Sequence, residues 1–199
     1  MVLRGCPSSD DERLSPKALA EMPNCFSSGS SADDKNHFLE PWTYTKSADE
    51  AWKDILSVAE GYPPGQDGID GGGWKIVKKE PVGYLYQVFE SEKIGYYDDL
   101  ELSLMEGGQC LVRSASRAGY LDFGVNAKRL NYFAKVGTAH ELGVMSAFHN
   151  PPDHSGSRSM GGPLTSHVST PQALNSKGGW DCSLVTAERY PLYFKQNGA

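Results

Sequence analysis

Residues 113 to 129 read RSASRAGYLDFGVNAKR, placing two serines, four basic side chains, one aspartate and one asparagine in seventeen positions. Three uses of such a set are open. Arg113, Arg117, Lys128 and Arg129 could converge near the start of a helix, where free N–H groups and the helix dipole favour negative charge. A phosphate, a carboxylate or an anionic lipid head group would fit there. Ser114 or Ser116 could act as a nucleophile, but neither sits in a G-x-S-x-G elbow. The five histidines, at 37, 140, 149, 154 and 167, have no spacing that sets one beside a serine. The third use is structural. Asp122 and Asn126 punctuate a strand-to-helix connection whose backbone donors lack ladder partners, and short polar side chains satisfy such donors. Upstream, Asp98, Asp99 and Glu101 offer carboxylates that compete for the same arginines. The structural use is therefore the favoured one, with anion binding second.

Other chemistry is weakly signalled. HNPPDH contains His149, Asp153 and His154, but two histidines across a Pro-Pro turn are not a helical ligand pair. No metal is expected. GGG at 71 to 73 precedes a strand, the wrong order for a phosphate loop opening a helix, and no cofactor is expected either. Tyr84, Tyr86, Phe89, Tyr96 and Tyr97 could line a pocket under a helix-covered sheet, although core packing is the commoner use of aromatic side chains.

The elements that must position these residues are legible. In SADEAWKDILSVAEGYPP, Ser47 and Glu50 form a capping box. Ala48, Ala51, Trp52, Ile55, Leu56 and Ala59 make one apolar stripe, and Gly61 with Pro63-Pro64 ends the helix. WKIVKKE, YLYQVFES, YYDDLELSL and QCLVRSAS read as strands joined by short turns, which requires antiparallel pairing. On the last of these, Cys110, Val112 and Ser114 share one face, and Leu111, Arg113 and Ala115 the other. A cross-strand pair of Arg113 with Asp99 or Glu101 follows. GVNAKRLNYFAKVG predicts a second helix with Asn126 as N-cap and Leu130, Phe133 and Ala134 toward the sheet. HFLEPWTY is a short strand or docked arm, and WDCSLVTAERYPLYF could pack back. The expected fold is α+β: an antiparallel sheet of four to five strands with two helices on one face. Residues 47–142 form the core domain, between irregular arms at 1–46 and 143–199.

The whole chain narrows the function class. Its 199 residues are 39% apolar with a net charge of −6, and it lacks the basic stripe of a nucleic-acid binder. No run approaches the roughly 20 apolar residues of a membrane span. The N-terminal MVLRGCPSSDDERL has no apolar core of a secretory signal. Cys6 and Cys25 could meet as a disulfide across a Pro/Ser/Asp-rich loop, which a reducing compartment would forbid; Cys110 is expected to be buried. The arms are poor in apolar residues, and ordering each backbone residue costs about 1–2 kcal/mol. Such arms, if ordered, would have to borrow rigidity from a larger neighbour.

RSASRAGYLDFGVNAKR closely resembles the signature of the domain-of-unknown-function family 1499. YYDDLELSL is similar to that family's aspartate-rich strand, and MPNCFSS at 22 to 28 to its Pro-Asn-Cys segment. The resemblance covers roughly residues 22 to 136. Arg113, Ser114, Ser116, Arg117, Asp122, Gly124, Asn126 and Arg129 match the motif. The family, which occurs in bacteria and plastids, has no agreed activity, so the resemblance implies no catalytic residues. The long C-terminal arm and the Gly-rich stretch at 68 to 73 depart from it. The family's plastid members imply an expected role: a non-catalytic accessory subunit on the stromal side of photosystem I, peripheral to the thylakoid membrane and held by its arms. The alternative is a module binding a small anionic or lipid-like ligand through the arginine cluster and the sheet face.

Overall fold

The computed structural model describes residues 24–81, 83–119, 121–139 and 179–191, together with Leu3, Cys6 and Lys195. In chain order the elements are β1 (Cys25–Ser27), β2 (Trp42–Tyr44), α1 (Ala48–Glu60), a 3-10 turn (Gln66–Gly68), β3 (Gly73–Lys79), β4 (Tyr84–Glu90), β5 (Tyr97–Met105), β6 (Gln109–Ser116), α2 (Val125–Ala139) and β7 (Trp180–Asp181). The fold is α+β, as the alternation and the helix stripe require.

The four long strands form an antiparallel meander, and the sheet runs β3-β4-β5-β6-β2-β7. The far edge of β6 is shared by two short strands: Trp42 pairs with Cys110 at one end, and Cys25 with Ala115 at the other. Within residues 24–46 and 179–191, expected as arm, Cys25–Ser27, Trp42–Tyr44 and Trp180–Asp181 thus join the sheet. Phe26, Leu39, Trp42, Val185 and Tyr190 are buried in the main core. Apart from Leu3, Cys6 and Lys195, the rest of both arms lies outside the described residues.

Both helices cover one face. Trp52 and Ile55 of α1 and Leu130 and Phe133 of α2 pack in one cluster with Leu85, Phe89, Leu100, Leu102 and Val112. Ser47 caps α1 with the full capping box. The expected cap of α2 is corrected. Asn126 lies inside the first turn, and the Asp122 carboxylate accepts from the Gly124 and Asn126 backbone N–H groups at 3.2 and 2.9 Å. With Asp122 capping the first turn, the Asn126 side chain points inward.

On the opposite face, Cys6 and Cys25 form a disulfide and cluster with Ala115. The five aromatic residues weighed as a pocket lining do not share one face. Tyr84 and Tyr86 point to this outer face and Phe89 to the helix-covered one, because strand neighbours alternate. Tyr96 and Tyr97 are exposed.

Candidate functional site

The signature block folds into a buried polar network between α2 and the ends of β5 and β6, with Arg129 at its centre and fully buried. A guanidinium has five N–H donors, and here each has an acceptor. Nε and Nη2 donate to the two Asp70 carboxylate oxygens at 2.9 and 2.5 Å, and Nη2 also donates to Asp98 Oδ2 at 2.8 Å. Nη1 donates to Asn126 Oδ1 at 2.8 Å and Ser114 Oγ at 3.2 Å. The Phe89 ring lies 4.5 Å below the guanidinium carbon. Burial opposes the Arg129 charge, but Asp70 and Asp98 more than offset it and hold its pKa above the ordinary value.

A second layer fixes the first. Ser114 donates to Asn126 Oδ1 at 2.6 Å. The Asn126 amide donates to Asp122, Ser116 Oγ and the Asn24 carbonyl at 2.8 to 3.0 Å. Asn24 reaches on to the Gly119 carbonyl at 2.7 Å, tying the strand-to-helix loop to the start of β1. Tyr62 donates to Asp70 at 2.7 Å and accepts from Gln66 at 2.8 Å. Burial first, then the Asp70 charge, raises the Tyr62 phenol well above its ordinary value.

The four basic residues do not converge. Arg129 lies under the helices, whereas Arg113 and Arg117 stand on the outer face. Adjacent strand residues point to opposite faces, which also splits the Asp98-Asp99 pair between Arg129 and Arg117. Arg113 donates to Glu101 at 3.1 Å, its direct register partner, as the cross-strand argument requires. Arg117 Nε donates to Asp99 at 2.9 Å. Tyr84 donates to Glu101 at 2.6 Å and Tyr86 to Asp99 at 2.8 Å, giving two Tyr–carboxylate–Arg rows across β4, β5 and β6. Burial and the bond to Glu101 raise the Tyr84 phenol. Lys128 is exposed, and its Nζ reaches only the Asp67 carbonyl, at 3.5 Å.

This arrangement is poorly suited to chemistry. Ser114 is buried and its hydroxyl is committed to Asn126. His37, the one histidine among the described residues, sits 2.7 Å from Asp34 in the loop before β2. Among the described residues no group of three or more His, Cys, Asp or Glu is set to hold a metal; His149, Asp153 and His154 lie outside them. A crevice lined by Trp42, Ile55, Val58, Leu102, Phe133 and Cys182 has a volume of about 20 Å³, room for about one water molecule.

Sequence reasoning missed Asp70, Tyr62 and Asn24. Asp70 comes from the Gly-rich stretch read as an addition, and is held at φ +56°. A carboxylate among glycines just before a strand was the available signal, since glycines let a loop dip inward.

At the end of the sheet nearest the network, two loops expose apolar side chains. Ile94 and Tyr96 precede β5, and Leu121 and Phe123 precede α2. The loops adjoin, since the Arg117 N–H donates to the Tyr97 carbonyl at 3.0 Å. Phe123 is 69% exposed and held at φ +51°, a costly conformation for a bulky residue.

Among the described residues no helix is long and apolar enough to cross a membrane. A family model described as protein of unknown function (DUF1499) matches residues 17–136. No curated protein and no solved structure shows a match to the chain.

Proposed function

The chain belongs to the DUF1499 family of proteins of unknown function, and from that premise we propose that it is a non-catalytic accessory subunit that docks on a larger assembly. The observation carrying this reading is the apolar end of the sheet: Ile94, Tyr96, Leu121 and Phe123 exposed on two adjoining loops. Exposed apolar side chains grouped at one end of a sheet suit an interaction surface if they form a contiguous patch. The saturated network behind them supports it from the other side, because it leaves Arg129 no donor for a ligand. It also makes the loop after β6 a rigid platform, with Asn24, Asp122 and Asn126 all bonded to it.

The setting proposed is a photosynthetic membrane complex in a plastid, with photosystem I as the first candidate, a step supported only by the family resemblance. The Cys6–Cys25 disulfide favours an oxidising compartment and so weighs against the stromal side of that complex. Which side the chain occupies is one readout of the test.

The test is native purification of the tagged full chain from gently solubilised membranes, with mass spectrometry of what comes down. A stoichiometric complex is expected, and Phe123→Ser with Ile94→Ser should release the chain from it without lowering Tm. A chain that sediments alone, or a double variant that stays bound, overturns the proposal. Loss of a bound anion on Arg113→Ala or Arg117→Ala at unchanged Tm would favour the ligand-binding alternative.

A further inference from the structure

The segment from Gly179 to Pro191 lies beyond the family region, which ends at residue 136. Every groove residue that holds it, by contrast, lies inside that region. We propose that the groove formed by β2, α2 and β1 is a peptide-docking site, and that residues 179–191 are its tethered, releasable occupant.

The first part of the segment is held as proteins hold an added strand, by main-chain bonds, and the part that follows by a few side-chain pockets. The segment adds strand β7 to the edge at β2, pairing Asp181 with Thr43 and Trp180 with Tyr44. The Asn131 side chain of α2 grips the Val185 backbone in both directions: its amide donates to the Val185 carbonyl and its oxygen accepts from the Val185 N–H, each at 2.8 Å. That bidentate grip recognises a peptide unit and fixes register. Two side chains, five positions apart, then anchor the segment. Val185 is 1% and Tyr190 3% exposed, while Thr186, Ala187, Glu188 and Arg189 between them are exposed. The Tyr190 ring meets Phe26 edge-on at 5.1 Å, and its hydroxyl donates to the Phe38 carbonyl at 2.8 Å. On the rim, Arg189 pairs with Glu40 at 3.0 Å.

The ligand class follows: a segment that begins as a short strand, carries a β-branched aliphatic residue, and then closes in a turn, with the Tyr190 N–H donating to the Thr186 carbonyl at 2.9 Å, so that a tyrosine five positions later and the basic residue before it are presented to the groove. Two anchors make a weak ligand when untethered. Tethering makes rebinding intramolecular, and short flexible linkers supply effective concentrations on the order of 1 mM. An intrinsic Kd of about 0.1 mM would then keep the groove about nine-tenths filled by the chain's own segment. A partner carrying the same pattern in higher avidity would displace it. The inference is independent of the accessory-subunit reading, since it concerns a different surface.

The experiment uses the full chain with a specific protease site placed between residues 141 and 178. After cleavage, fluorescein-labelled synthetic peptide covering 179–191 is titrated by anisotropy, with Tm recorded before and after. The cut chain should remain folded and bind the peptide at least about tenfold more tightly than the uncut chain, whose tethered copy competes. Peptides carrying Val185→Asp or Tyr190→Ala should bind at least about tenfold more weakly, a loss no folding defect can explain because the protein is unchanged. Asn131→Ala in the groove should weaken the unmodified peptide. The proposal is overturned if the cut chain unfolds when the segment leaves. It is equally overturned if labelled peptide does not exchange in, or if the Val185→Asp peptide binds as well as the original.

Discussion

Arg129 is buried with two carboxylates, so the pair Asp70 and Asp98 would be left without a counter-charge if the guanidinium were removed. Breaking a buried pair by removing one partner costs about 3–5 kcal/mol, because the remaining charge stays desolvated. For a chain of this size that corresponds to a Tm loss on the order of 10 °C. Arg129→Met should show it in a thermal melt, and Arg129→Lys should do little better, since one ammonium cannot reach five acceptors in a plane. Adding Asp70→Asn and Asp98→Asn to Arg129→Met should restore part of the loss. By contrast, Arg117 is 44% exposed in its pair with Asp99, and Arg117→Ala should cost under about 1 kcal/mol. Equal losses for Arg129→Met and Arg117→Ala would refute the buried network as the stabilising centre.

Among the elements, the β5–β6 hairpin turn decides whether the short strand β2 can join the sheet. Gly108 holds φ +76°, and a Cβ built there would stand 2.5 Å from the Tyr44 carbonyl oxygen of β2. The same turn's Gly107 holds φ +84° with nothing within 4 Å. Gly107→Ala therefore costs only the left-handed conformation, about 1–2 kcal/mol. Gly108→Ala must also push β2 away and break the Tyr44 N–H bond to the Gly108 carbonyl, 2.8 Å long. Its Tm loss should be at least about twice that of Gly107→Ala, with faster amide exchange at Tyr44; equal losses with unchanged exchange would disprove the steric account. Elements of this kind mark the limit of what the sequence discloses. Helix α1 and the four long strands were legible because each repeats its period several times, and the capping box closes α1 unambiguously. Strands of two or three residues, such as β1, β2 and β7, carry no period of their own; β1 and β2 exist because β6 offers an unpaired edge, and β7 because β2 then offers the next one. The same limit governs the site. Alternation places Arg113 opposite Glu101, a local matter, whereas the Asp70–Arg129 pair joins residues 59 apart and depends on how the loop after α1 folds under the sheet. Asn126 was misplaced as a cap because Asp122, four residues earlier, is an equally good acceptor and only packing selects between them.

For the whole molecule, the direction of several shifts fixes how stability responds to base. Burial pushes the Cys110 thiol up to about 12. Burial is also the first cause raising Tyr62, Tyr84, Tyr86, Tyr132 and Tyr190 above their ordinary value, with carboxylate neighbours adding to all of these but Tyr132. In each case the folded group holds its proton more tightly than the unfolded one. The stability each contributes is complete below the unfolded pKa, about 8.5 for cysteine and 10 for tyrosine, and is lost as pH rises toward the folded value. The unfolded state releases protons first, so the midpoint of urea unfolding should be flat from pH 7 to 8.5, decline gently to 10 as Cys110 alone contributes, and fall steeply above 10 as the tyrosines join. A single group contributes a slope of up to about 1.4 kcal/mol per pH unit. Cys110→Ala should remove the gentle decline between 8.5 and 10 and leave the steep part, whereas Tyr62→Phe should reduce the steep part and leave the decline. A midpoint that stays level to pH 11, or a Cys110→Ala profile superimposable on the parent below pH 10, would show that these groups are solvated in the folded chain and that the core around β6 is looser than its packing indicates.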